Sequence, residues 1–104
     1  MSKPPQNIIV ADIGGTKIAL GHFEAQKAST ASSSVLTQRL RVADPIRALE
    51  QIILGYATQH RLEFDAVVLG VPVSLDRDMD TVLSGPNIPE LEGLKLATLL
   101  QAKL

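Results

Sequence analysis

Cysteine is absent from the 104 residues, which excludes disulfide staples and thiolate zinc sites within this span and suits a reducing compartment. Tryptophan is absent as well, and there are only one tyrosine and two phenylalanines. The core must therefore be aliphatic, and the scarcity argues against a platform for stacking single-stranded bases. Neither sign of charge dominates: 10 Lys and Arg face 11 Asp and Glu, a formal charge of −1. With no basic footprint, nucleic acid and anionic membrane are not expected as partners. No run of about 18 apolar residues occurs, so nothing is read as spanning a bilayer. Met1 to Gln6, polar and carrying Pro4 and Pro5, lacks the order of positive charge and then apolar stretch that marks a signal peptide. It reads as a flexible N-terminal tail, and the expected address is the cytoplasm.

What is present is enough apolar residue, 45% of the chain, for one core and one domain over residues 7–104. Ile8, Ile9, Val10 and Ala11 form a continuous apolar run, the pattern of a central strand buried on both faces. Asp12, Gly14, Gly15 and Thr16 interrupt it, and Ile18, Leu20 and His22 then alternate as a second strand. The two strands make a hairpin around Gly14-Gly15. Glu24 to Ser34 is small, polar and without period, so a surface loop is expected there. Val35 to Val42 alternates roughly, as an edge or third strand would. Asp44-Pro45 is a helix start, because Asp caps a free N–H and Pro needs none at the first helical position. Ile46, Leu49, Ile52, Ile53, Tyr56 and Ala57 give that helix one apolar stripe as far as about His60. Asp65 to Val71 is a second buried-strand signal, and a helix between two such strands implies a parallel crossover. Ser74 to Ser84 predicts a small hairpin, Gly85-Pro86-Asn87 with Pro89 a rigid loop, and Leu96, Leu99, Leu100 and Leu104 a helix face. The absence of a closing Gly, Asn or Pro after Leu104 predicts truncation within a helix.

The densest chemistry lies in Asp12-Ile13-Gly14-Gly15-Thr16-Lys17. Paired glycines let backbone N–H groups converge on an anion without Cβ obstruction, while Thr16 adds a hydroxyl and Lys17 a positive charge. Asp12, at the end of the strand, is placed to hold a hydrated Mg²⁺ beside phosphates. Neither a P-loop nor a dinucleotide fingerprint is present. From spacing alone, a phosphate cradle and a plain Gly-Gly hairpin with a local Asp bond stand side by side. Asp76, Asp78 and Asp80 imitate the start of a calcium loop, but Thr81 and Asn87 occupy the positions that need Gly and a bidentate Glu. A solvated turn is the preferred reading there. His22 and His60 have no metal-ligand spacing and read as a strand-face and a helix-end residue.

The stretch from Asp12 through Lys17 to Gly21 resembles the first phosphate motif of the ROK family of repressors, open reading frames and sugar kinases. Val68-Leu69-Gly70-Val71-Pro72, an acidic turn, and then Thr81 to Pro89 resemble the family's G-x-P and Pro-Asn segments, in the same order. The resemblance covers the chain from about Asn7. It implies an α/β fold, the N-terminal lobe of ribonuclease-H-like (actin-like ATPase) type, with a mixed sheet, hairpin strands and a parallel crossover helix. It further implies ATP and Mg²⁺ as cofactors, with Asp12, Gly14, Gly15, Thr16 and Lys17 at the nucleotide phosphates and Asp12 near the metal. Gly70, Pro72, Val73, Ser74, Gly85, Pro86 and Asn87 then border a hexose or hexose derivative.

Family members usually carry Gly at the position of Val73, a departure shared with allose-kinase-like sequences that leaves the sugar open. The family's catalytic base is the Asp of an Asn-Asp pair, and no such dipeptide occurs here. The second Gly-rich motif, the adenosine motif, the sugar-contacting Glu and His and the zinc segment are also missing. The resemblance therefore implies one lobe of a hexose kinase, without a catalytic residue and inactive alone, whose partner is the missing C-terminal lobe; a homo-oligomer stays open. Two alternatives belong to other classes: a fragment of a sugar-responsive transcriptional regulator, and a stand-alone interaction domain. Eleven residues precede Asp12, so no helix-turn-helix reader is expected ahead of it.

Overall fold

The computed structural model describes residues 6–25, 27–85 and 88–104. Strand β1 (Asn7–Ile13) lies inside a mixed five-stranded sheet. It pairs antiparallel with β2 (Lys17–Glu24) on one side and parallel with β5 (Ala66–Gly70) on the other. The outer edge of β2 is shared by two short antiparallel strands, β3 (Lys27–Ala28) and β4 (Ser33–Leu36). The hairpin, the parallel crossover and the α/β class all follow the sequence expectation.

Alternation sends Ile9, Ala11 and Ile13 of β1 and Ile18, Leu20 and His22 of β2 to one face, where all six are buried. Helix α1 (Pro45–Gln59) lays Ile46, Leu49, Ile52, Ile53, Tyr56 and Ala57 into the same core. Asp44 starts the helix by accepting a hydrogen bond from the Arg47 N–H at 3.1 Å, with Pro45 at the first position. The end is equally defined. Arg61 turns left-handed at φ 51°, its N–H donates to the Thr58 carbonyl at 3.2 Å, and the Leu62 N–H donates to Ala57 at 2.9 Å. That pair of bonds satisfies carbonyls the helix would otherwise leave bare. Ala25 and Met79 also sit at positive φ, in turns.

After β5 the chain forms the small hairpin of β6 (Ser74–Leu75) and β7 (Val82–Ser84), then a 3-10 turn at Pro89–Leu91 and helix α2 (Leu96–Lys103). Gly93 makes the turn ahead of α2 at φ 82°, a conformation that L side chains rarely adopt. Among the described residues no helix is long and apolar enough to cross a membrane.

Four expectations need correction. The second face of β1 is not fully buried: Ile8 and Val10 are half-buried, and Phe23 and Val68 beside them are 39% and 51% exposed. The helices pack on the other face, where α2 and the inward residues Val67 and Leu69 line a groove. Val35 to Val42 is not one strand, because the chain leaves β4 at Leu36 and coils through a 3-10 turn, Thr37–Leu40. The polar stretch Glu24 to Ser34 is not wholly loop. Lys27, Ala28, Ser33 and Ser34 pair with β2, since an open strand edge bonds backbone groups whatever the side chains. Of the apolar stripe in the last helix only Leu96 and Leu100 are buried, with Leu99 39% and Leu104 42% exposed. The expected tail lies outside the described residues except for Gln6.

Candidate functional site

The residues singled out in Asp12 to Lys17 occupy the tip of the β1–β2 hairpin. Gly14 closes it by donating its N–H to the Lys17 carbonyl at 2.9 Å. A Cβ on Gly14 would stand 3.0 Å from that same oxygen, so a side chain there would crowd the turn and push its closing carbonyl aside. Gly15, Thr16 and Lys17 are exposed. A shallow hollow of about 600 Å³, lined by Gly15, Thr16, Leu36, Gln38, Arg41 and Val42, opens beside them. Gly15 and Thr16 thus bring backbone amides and a hydroxyl to this hollow, and Lys17, exposed, follows them in sequence, a set of residue types suited to oxyanions.

Asp12, one residue before the end of β1, stands directly across from Gly70, the last residue of the parallel β5. Its carboxylate leans over that glycine: a Cβ on Gly70 would lie 2.9 Å from Asp12 Oδ1. Gly70 therefore serves the site by leaving space for an acid. The carboxyl ends of parallel strands are where open α/β sheets bind ligands. Among the described residues no group of three or more potential metal-ligating side chains occurs. An exposed lone carboxylate fits Mg²⁺, which keeps several waters and completes its shell with phosphate oxygens.

The chain leaves β5 through Pro72, Val73 and Ser74, and the second sequence motif returns to meet this segment. A Cβ on Gly85 would lie 2.9 Å from Val73 Cγ1, so Val73 fills the space that a side chain at 85 would need. The structure thus joins Val73 to Gly85 as it joins Asp12 to Gly70. Pro86 and Asn87 lie outside the described residues.

The acidic turn has other work. Asp78 Oδ1 accepts from the N–H groups of Asp80 and Thr81 at 2.9 Å each, and Oδ2 accepts from the Thr81 hydroxyl at 2.7 Å. The Thr81 hydroxyl and these N–H groups hold the Asp78 carboxyl below the usual carboxylate range. Asp80 reaches across to the start of α2, accepting from the Ala97 N–H at 2.6 Å, the Thr98 N–H at 3.1 Å and the Thr98 hydroxyl. Its carboxyl is likewise lowered, first by the Thr98 hydroxyl.

Sequence reasoning missed one buried polar group, Thr37, whereas His22 and His60 stand where it placed them, on the face of β2 and at the end of α1. Thr37, 1% exposed, donates its hydroxyl to the Gly14 carbonyl at 2.8 Å and its N–H to Thr16 at 2.9 Å. His22 has Nδ1 2.6 Å from the Tyr56 hydroxyl and Nε2 3.1 Å from Glu24 Oε1, and the His60 ring lies 4.3 Å from that of Tyr56. A hydrogen-bonding residue at the end of a poorly alternating strand was the available signal for Thr37.

The mixed sheet with its glycine hairpin has the fold of actin-like ATPase sugar kinases, on part of which it superposes. No protein-family model matches the chain. It is 33% identical over 93 residues to the N-acetyl-D-glucosamine kinase of Vibrio cholerae, covering 89% of this chain and 30% of that protein. A solved ROK family glucokinase from Streptomyces griseus, in complex with glucose and AMPPNP, superposes with TM-score 0.75 at 25% identity over 94% of this chain and 30% of its own. A provisionally assigned sugar kinase from Cytophaga hutchinsonii gives TM-score 0.76 at 19% identity, over 94% of this chain and 33% of its own. In sequence and fold the chain is the counterpart of the N-terminal part of the ROK-family sugar kinases. It spans about a third of the length of these relatives.

Proposed function

We propose that residues 7–104 are the ATP-phosphate and sugar-rim lobe of a cytoplasmic hexose kinase, which transfers a phosphoryl group from MgATP to a sugar hydroxyl once joined to the further chain its relatives carry. The observation that carries this reading is the hairpin tip, Gly14 to Lys17, seated beside Asp12 where parallel strands β1 and β5 end. The glucose and AMPPNP held by the Streptomyces glucokinase, and the activity named for the Vibrio relative, support the choice of substrates.

In this reading the Gly15 and Thr16 N–H groups, the Thr16 hydroxyl and the Lys17 ammonium bind phosphate oxygens and hold them in one orientation. Such fixed donors act where charge builds during transfer. Asp12 would hold Mg²⁺, which when bound neutralises phosphate charge. Gly70, Pro72, Val73, Ser74 and Gly85 border the hexose, as do Pro86 and Asn87 by the resemblance alone. No residue of this span removes the sugar proton, so the lobe alone releases no ADP.

The test is exchange of this chain for the matching third of the Vibrio kinase. The chimera is expected to release ADP in a hexose-dependent manner, and Asp12→Ala to lower kcat by about 100-fold, the scale of losing an electrostatic group. Ser33→Ala, on β4, should leave turnover unchanged. A folded chimera inactive on a broad hexose panel, or equal effects of the two substitutions, overturns the assignment.

A further inference from the structure

We infer that Thr37 is a positioning residue for the hairpin tip, aiming its backbone donors at the phosphates; this rests on the reading of Gly14 to Lys17 as a phosphate cradle. A hydroxyl that is almost wholly buried beside an aliphatic core must find a partner. Thr37 finds it in the Gly14 carbonyl at 2.8 Å, while its own N–H holds the Thr16 carbonyl at 2.9 Å. Both limbs of the turn are therefore fastened to one residue of the 3-10 segment. The direction of the first bond matters. In a trans peptide the carbonyl and the following N–H point opposite ways. Drawing the Gly14 carbonyl inward to Thr37 turns the Gly15 N–H outward, on a residue that is itself exposed. Two glycines in sequence would otherwise let that peptide plane rotate freely. Leu40, 0% exposed, anchors the far end of the same segment in the core, so the fastening is to a fixed point.

Thr37→Val removes the hydroxyl alone, keeping the branched shape and the backbone N–H. In the chimera with the Vibrio kinase, which restores the further chain its relatives carry, the experiment compares the parent with Thr37→Val and Thr37→Ser by amide NMR, reading MgADP affinity from shifts at Gly15 and Thr16 and the fast-timescale order of those amides. Thr37→Val should weaken MgADP about fivefold, the scale of one net hydrogen bond. It should also lower the order at Gly15 while spectra elsewhere are unchanged, and Thr37→Ser should restore both. Affinity and order in Thr37→Val equal to the parent chain overturn the inference. If order falls but no variant, parent included, responds to MgADP, the aiming role stands and the phosphate reading fails. A measurement on the parent chain alone covers the case in which Thr37→Val does not fold. The Thr37 hydroxyl proton should be protected from water exchange and close to Gly14; a rapidly exchanging hydroxyl overturns the inference.

Discussion

The hairpin end of the molecule and the end that carries the acidic turn are held by different forces. Around β1, β2 and α1 the chain is fixed by aliphatic burial: Ile9, Ile18, Leu49 and Ile53 are each 0% exposed, and the turn at Thr37 is pinned by bonds within that shell. From β6 to α2 the fixing groups include exposed carboxylates, Asp78 closing its own turn and Asp80 holding the first turn of α2. Burial is indifferent to pH, whereas a carboxylate accepts these bonds best when ionised. One half of the proposed site is thus set mainly on an aliphatic frame, and the segments proposed to border the sugar lean on carboxylate bonds at Asp78 and Asp80.

This contrast can be broken at the core. Leu49→Ala should cost about 2–5 kcal/mol, the range for emptying an aliphatic site. Amide exchange should then rise in both halves together; a rise confined to β1, β2 and α1 would show that the halves unfold independently. A smaller loss is expected from Asp44→Ala, about 1 kcal/mol for an N-cap, read as a lowered denaturation midpoint with α1 amides exchanging first. The smallest effect is also the most local. Because the carboxyls of Asp78 and Asp80 are lowered in the fold, their contribution is complete above the ordinary carboxylate range and is lost as pH falls through their folded values. Acidification below about pH 4 should speed exchange at Ala97 and Thr98 while the Ile9 and Ile18 amides stay protected. Simultaneous loss at all four sites would erase the distinction between the halves.

The same division governs what could be read without coordinates. The apolar run at Ile8 to Ala11, the run at Val67 to Leu69 and the Asp44-Pro45 start each follow from local chemistry, and β1, β5 and α1 stand where they predict. The hairpin tip was legible for the same reason, since Gly14-Gly15 between two strands admits few geometries. Contacts made only by folding were not legible. Nothing local says that Asp12 will stand over Gly70, because the register of β1 against β5 is set by a crossover through a whole helix. Asp78 and Asp80 look equivalent in sequence, yet one binds its own turn and the other a helix 17 residues further on. The turn at Thr37 escaped because its period is too short to show and its partners come from another strand. The second face of β1 was overestimated because a continuous apolar run marks tolerance of burial on both sides, not the presence of two covers.

The single tyrosine makes this chain its own optical reporter. With no tryptophan, all of its tyrosine fluorescence comes from Tyr56, a ring 2% exposed between His22 of β2 and the α1 end, with its hydroxyl 3.4 Å from the Ala31 carbonyl. Burial pushes its phenol up, so in alkali the folded form resists ionisation and its absorbance change lags behind that of an open chain. That one chromophore sits where strand, helix and loop meet, and its emission and its alkaline absorbance follow the docking of all three without an added label.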